Sequence, residues 1–369
     1  MKNRKKAVGS QLLRTTLSAI VLSALCSLYA DARPITRDQA RQRAQVFMSE
    51  RHDDTPLTLV ETSARPGMHR TMAPLAADVE QYYVFNRGNG EGYLILAGDD
   101  SVEPVLGYSL FGTFDYDQLP PALQEWPDVY AAQIACLQSG APAVQPAPVH
   151  PAVAQLMDCT WNQGAPYNDE CPLYFSLGRS VTGCVATAYA QILYYHRSKM
   201  VTETQAAMPA YDTWTEHPTY GKLHVEGIPE GSPIDWENMK DEYGSATEKQ
   251  RKAVADLMHY CGVAAKMDYT NGSSGAQSHD AYLAFANYFG YGASVRYLSS
   301  GDGYDDAQWD QIIYNEIAAQ RPIYISGANS AAGHAFVCDG YDGNYCYHIN
   351  WGWGGLSDGY YLLTDLTPG

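Results

Sequence analysis

The order of patterns along this 369-residue chain predicts an α+β fold in two units. Three observations carry that expectation. The first third reads as one amphipathic helix, a hairpin, a third strand and a second helix. A Pro-rich stretch follows, and beyond it helices come first and strands last, with no internal repeat or heptad.

The extreme N-terminus lies outside this scheme. Lys2, Arg4, Lys5, Lys6 and Arg14 precede an apolar stretch from Leu17 to Leu25, too short to span a bilayer. Ala30-Asp31-Ala32 supplies small residues for signal-peptide cleavage before Arg33, so residues 1–32 are expected to be removed on export. A lipid anchor on Cys26 is disfavoured by the bulky Leu25. The localisation expected is secreted or periplasmic, with no membrane-spanning segment elsewhere.

Residues 33–138 form the first unit. Thr36 and Gln39 make a capping-box pattern ahead of Ala40, Ala44, Phe47 and Met48, which share one helical face. Tyr82-Tyr83-Val84-Phe85 and Tyr93-Leu94-Ile95-Leu96 flank a Gly/Asn turn and read as a hairpin. A third strand is expected over 104–109 and a helix over 121–137. This unit carries no nucleophile, base or metal cluster. Residues 139–151 contain Pro142, Pro146, Pro148 and Pro151, which predicts an extended, exposed linker of the kind proteases cut.

The second unit, residues 152–369, is expected to hold helices at 184–199, 248–261 and 279–289. Strands are expected at 322–325, 334–339, 345–350 and 359–363. The net charge of −17 argues against nucleic acid or an anionic membrane as partner. Eight cysteines fall to seven once Cys26 leaves, and an odd number in an exported chain flags one free thiol. The other six show no framework spacing and predict no disulfide.

Cys184 has the setting of that thiol. Gly183 ends a loop and Cys184 opens a helix, where unpaired N–H groups and the positive end of the dipole favour a thiolate. Such a nucleophile needs a base. His196 is excluded, because twelve residues along one helix is roughly 18 Å. His334, at a strand start after Gly333, is the best candidate, with His348 on the neighbouring strand as the alternative. Asn350 is placed to accept the imidazole N–H and orient it. Trp351 and Trp353 would shield that bond. Gln163, in a turn-rich loop upstream, is the candidate second oxyanion donor beside the Cys184 N–H. Cys338, Cys346 and His348 lack a fourth ligand and zinc-like spacing, so neither metal nor cofactor is expected.

Taken together, Gln163-Gly164-Ala165-Pro166-Tyr167-Asn168, Gly183-Cys184-Val185-Ala186-Thr187-Ala188, Gly333-His334-Ala335-Phe336-Val337 and Asn350-Trp351-Gly352-Trp353-Gly354-Gly355 resemble the streptopain family of papain-like bacterial cysteine peptidases. The resemblance covers nearly all of the second unit in the right order. Tyr82-Tyr83-Val84-Phe85-Asn86, the run from Gly92 to Asp99 and Leu106-Gly107-Tyr108-Ser109 resemble the family's prosegment. It implies a papain-like catalytic domain, helical on the left and antiparallel sheet on the right, preceded by a small α+β inhibitory prodomain. It further implies a secreted zymogen acting on protein or peptide substrates, with the prodomain as intramolecular inhibitor. Cys184 would be nucleophile, His334 general base and acid, Gln163 oxyanion donor, and Asn350 with Trp351 the supporting pair.

One departure is the end of the chain at Gly369, soon after the Trp-Gly motif, where the family continues through a Gly-rich loop and a final strand. A truncated C-terminus is therefore expected to leave an unpaired sheet edge. Two alternatives remain: another exported Cys-His acyl hydrolase, such as a peptidoglycan amidase or a transglutaminase-like enzyme, and a non-catalytic exported binding protein.

Overall fold

A computed structural model describes residues 33–63, 80–119, 121–144, 147–291, 295–328, 333–364 and 366. The expected signal segment lies outside these.

Helix α1 (Arg37–Glu50) starts where the sequence marks it. Thr36 accepts from the Gln39 N–H, the Gln39 side chain returns to the Thr36 N–H, and Ala40, Ala44, Phe47 and Met48 are the buried face. Strand β1 (Leu57–Thr62), half-exposed and unforeseen, borders a meander of β2 (Tyr82–Arg87), β3 (Tyr93–Ala97) and β4 (Val105–Ser109). Helix α2 (Pro121–Gln138) covers one face of that meander and α1 the other. Residues therefore alternate between two cores. Tyr82, Val84 and Ile95 join the α2 side, while Tyr83, Phe85 and Leu94 join the α1 side.

In the second unit, helices α3 (Cys184–Tyr195), α4 (Glu248–Ala264) and α5 (Ser278–Tyr288) build an apolar helical half. Two elements there escaped the sequence patterns: a hairpin of β5 (Tyr211–His217) and β6 (Gly221–Val225), and helix α6 (Asp306–Ala318). Strands β7 (Ile323–Ala328), β8 (Gly333–Tyr341), β9 (Cys346–Asn350) and β10 (Gly359–Leu362) form the sheet half. Among the described residues no helix is long and apolar enough to cross a membrane.

The expected bare edge of β10 is not bare. The sheet runs β1-β2-β3-β4-β10-β9-β8-β7, so the first unit's β4 pairs with β10, Tyr360 opposite Tyr108 and Tyr361 opposite Gly107. Gly107 makes this fit possible, because a Cβ there would lie 2.4 Å from the Tyr361 ring. Tyr93 and Tyr361 hydroxyls bond across the same seam, and Ser109 Oγ donates to the Asp358 carbonyl at 2.7 Å. The first unit thus extends the second unit's sheet and shares its apolar core.

In the Pro-rich segment Ser139, Gly140, Pro142, Pro148, Val149 and Pro151 are exposed, whereas Ala147 is buried and His150 bonds Asp310.

Candidate active site

Cys184 is the first residue of α3, and Gly183 is its N-cap at φ +82°. Glycine is required there twice over. The conformation is one L-residues avoid, and a Cβ would stand 2.6 Å from the Ser274 carbonyl oxygen and 2.8 Å from Met267 Sδ. Thr182 and Thr187 hydroxyls bond at 2.8 Å, and the Thr187 N–H and hydroxyl both reach the Gly183 carbonyl. The turn presenting the thiol is therefore fixed by buried groups on both sides.

Strand β8 packs against α3, and the Ala335 N–H points at the Cys184 sulfur. The residue directly after His334 is already at the nucleophile. His334 Nε2 donates to the Trp351 carbonyl at 3.0 Å, and the ring stacks on Trp353 at 4.3 Å between centroids, with Trp351 at 6.0 Å. Trp353, more than Trp351, is the ring that covers it.

Burial pushes the Cys184 thiol above its usual value of 9.0, although the Ala335, Val185 and Cys184 N–H groups pull the other way. Burial thus outweighs the helix terminus, and the shift is opposite to the one expected from sequence. Burial lowers His334 to about 4, opposed only by its bond to Trp351. In both groups burial disfavours the charged form.

The supporting residues have other partners in this arrangement. Asn350 Nδ2 donates to the Cys159 carbonyl at 2.8 Å, and its Oδ1 accepts the Gly352 N–H at 3.0 Å, so it is not bonded to His334. Gln163 is half-buried; its carbonyl accepts the Thr182 N–H at 3.1 Å, which ties the 161–164 loop to the turn before Cys184. His348 bonds Asp339 at 2.6 Å, buried within the sheet, and His196 caps the far end of α3. Neither meets the thiol. Among the described residues no group of three or more His, Cys, Asp or Glu could hold a metal.

Sequence reasoning missed Asp358. Its carboxylate accepts the Trp351 N–H at 2.9 Å, and burial raises it to about 7. It backs the peptide on which His334 rests, while its own carbonyl is held by Ser109 of the first unit. Nothing in Ser357-Asp358-Gly359 distinguishes it from an ordinary turn residue.

A thiol opening a helix that packs on a histidine-bearing strand, with an N-terminal unit joined to that strand's sheet, is the arrangement of a papain-like cysteine peptidase carrying a prosegment. The Peptidase C10 family matches residues 161–361 and the Spi protease inhibitor family matches residues 32–134. The chain belongs to the Peptidase C10 family, the family of streptopain.

Relatives agree along both units. The thiol protease/hemagglutinin PrtT of Porphyromonas gingivalis is 31% identical over 366 residues, covering 94% of this chain and 40% of PrtT. Streptopain of Streptococcus pyogenes serotype M1 is 32% identical over 307 residues, 78% of this chain and 74% of streptopain. The chain thus spans less than half of PrtT and about three quarters of streptopain. A solved prointerpain A fragment of Prevotella intermedia, bearing a Cys-to-Ala substitution, superposes with a TM-score of 0.68 at 32% identity, covering 85% of this chain and 94% of that one.

Proposed function

We propose that this chain is an exported cysteine endopeptidase made as a zymogen, with residues 1–32 as signal peptide, 33–138 as inhibitory prodomain and 152–369 as peptidase domain. The observation that carries the reading is the contact between the Cys184 sulfur and the Ala335 N–H, because the strand that bears His334 then packs against the helix that bears the thiol.

In this proposal His334 leaves the Trp351 carbonyl once the prodomain releases β10 and turns toward Cys184. The imidazole takes the thiol proton, and each charge then stabilises the other, lowering the thiol and raising the ring. The thiolate adds to the scissile carbonyl carbon. The Cys184 N–H and the Gln163 side-chain amide receive the oxyanion. The imidazolium gives its proton to the departing amine, and water, deprotonated by the same ring, releases the acyl group. Asn350 accepts the other ring N–H, with Trp351 covering that bond. Protein or peptide chains are the substrates. Neither the amidase-like nor the non-catalytic alternative has an observation in its favour.

The test is peptide hydrolysis by the matured protein. Cys184→Ala is expected to abolish it, and His334→Ala to lower it at least about a thousand-fold. Asn350→Ala should cost less than either. Persistent turnover by purified Cys184→Ala would refute the assignment.

A further inference from the structure

The chain enters its first unit beside the turn that follows β3. The Ile35 N–H bonds to the Gly98 carbonyl and the Asp100 N–H to the Arg33 carbonyl, each at 3.0 Å, with Pro34 opposite Asp99 in antiparallel register. Ile35 is 1% exposed, and its carbonyl accepts the Tyr83 hydroxyl at 2.8 Å. One residue later Thr36 caps α1. Residues 33–35 therefore tie the start of that helix to the meander.

Asp99 lies where this pairing begins, and its surroundings are incomplete for a carboxylate. Its side chain is fully buried. Oδ1 accepts three donors, none of them charged: the Arg33 N–H at 3.2 Å, the Ser101 N–H at 2.9 Å and Ser101 Oγ at 2.5 Å. Oδ2 is buried too and has no partner. The nearby arginines are engaged elsewhere, Arg43 with Asp100 at 3.6 Å and Arg37 with Glu80 at 3.2 Å, and among the described residues no cation pairs with Asp99. Burying a carboxylate without an opposite charge is costly, so such groups are normally paired.

The nitrogen that Asp99 holds is the one that becomes an α-amino group when residues 1–32 leave. Hydrolysis of the Ala32–Arg33 bond puts the OH of water on the Ala32 carbonyl carbon and its H on the Arg33 nitrogen. At neutral pH that nitrogen takes a further proton from solvent. A neutral amide with one N–H thereby becomes an ammonium with three.

We propose that Asp99 is a binding site for the free α-ammonium group of Arg33, so that removal of residues 1–32 completes the first unit with an internal ion pair. The proposal rests on the signal-peptide reading above. The ammonium keeps its bond to Oδ1 and has two more donors to offer Oδ2, each strengthened by charge. A chain that continues upstream of Arg33 has only the single amide N–H to give. The first unit is therefore looser while its leader is attached and tightens once the leader is cut.

The experiment compares two chains that both carry Cys184→Ala. One is residues 33–369, released from an N-terminal fusion without any added residue; the other, residues 31–369, retains Asp31 and Ala32. Hydrogen exchange is followed by mass spectrometry on the peptide 96–106, which contains the Asp100 and Ser101 N–H groups and is common to both. Those amides should exchange at least about ten-fold more slowly in the chain that starts at Arg33. Asp99→Asn, which keeps the shape and the acceptor on Oδ1, should erase the difference. If that variant fails to fold, an acetyl group on the Arg33 nitrogen of the otherwise unchanged chain should raise exchange to the level of the longer form. Equal exchange in the two chains overturns the proposal, as does a difference that survives Asp99→Asn or a chain indifferent to acetylation. Because the preparation sets each N-terminus and the nucleophile is absent, neither signal cleavage nor peptidase activity enters this result. A wrong signal-peptide reading shows itself separately, as an exported chain whose first residue is not Arg33.

Discussion

Cys184 and His334 stand on two walls, one helical and one of sheet, that differ in what holds them. The helical wall is closed upon itself. Gly183, the Thr182–Thr187 bond, Ser274 and Met267 all belong to the second unit, and they fix the thiol without help from the first. The sheet wall is shared. Its strand β10 pairs with β4 of the N-terminal unit, Ser109 holds Asp358, Asp358 holds the Trp351 N–H, and the Trp351 carbonyl holds His334. In the zymogen proposed above, latency would reside in the base, the nucleophile being built in advance. A prodomain that completes a sheet can reposition one side chain there without distorting the helix opposite.

The sharpest way to break this contrast is Gly183→Ala. A residue at φ +82° with its Cβ 2.6 Å from a backbone oxygen should cost several kcal/mol. Thermal melting should show that loss in the full chain and in the matured peptidase alike, since the helical wall depends on no partner. A loss confined to one form would contradict the contrast.

A smaller effect is expected from Gly107→Ala, on the shared wall. The new methyl would press on the Tyr361 ring, which cannot yield because it is buried and bonded to Tyr93 and Ser357. Overpacking of this kind costs about 1–3 kcal/mol. It should weaken the prodomain's hold on the separate peptidase domain by about ten-fold or more, read as inhibition by added prodomain, while the peptidase itself melts unchanged. Unaltered inhibition would mean that the seam does not carry latency.

The pH dependence of His334 is the subtlest of the three. With the folded ring at about 4 and its ordinary value at 6.5, the unfolded chain binds the proton first. This group's contribution to stability is therefore intact above pH 6.5 and is lost as pH falls toward 4. Asp358, raised from 3.8 to about 7, works in the opposite sense, because its folded form takes the proton first as pH falls through 7. The two oppose each other, so the melting curve is the wrong probe. Ring-carbon NMR of the Cys184→Ala full chain should place the His334 midpoint near 4; a midpoint near 6.5 would show a solvated ring.

Much of this site was legible because its signals are local. Thr36 with Gln39, and Gly183 before Cys184, mark helix starts within four residues, and both helices begin where marked. Helix α6 was equally legible: Asp305 and Gln308 form a capping box, followed by Trp309, Ile313 and Ile317, and it was overlooked. The β5–β6 hairpin hides because its exposed residues dilute the alternation. The pairing of β4 with β10 could not be read, since it depends on Gly107 meeting Tyr361 across more than 250 positions of sequence. The thiol's expected shift toward thiolate failed for a similar reason. Its helix terminus is local, but the burial that outweighs it comes from packing that the local sequence does not reveal.

The most direct test of the account is the pH dependence of Cys184 alkylation by iodoacetamide, measured by mass spectrometry before and after prodomain removal. In the full chain the rate should stay low through neutrality and rise only above pH 9, as burial of an unpaired thiol requires. After removal it should be high near pH 6, and His334→Ala should return it to the first profile. Coincident profiles for the two forms, or a matured form indifferent to His334→Ala, would contradict the claim that prodomain release brings this thiol and this imidazole together.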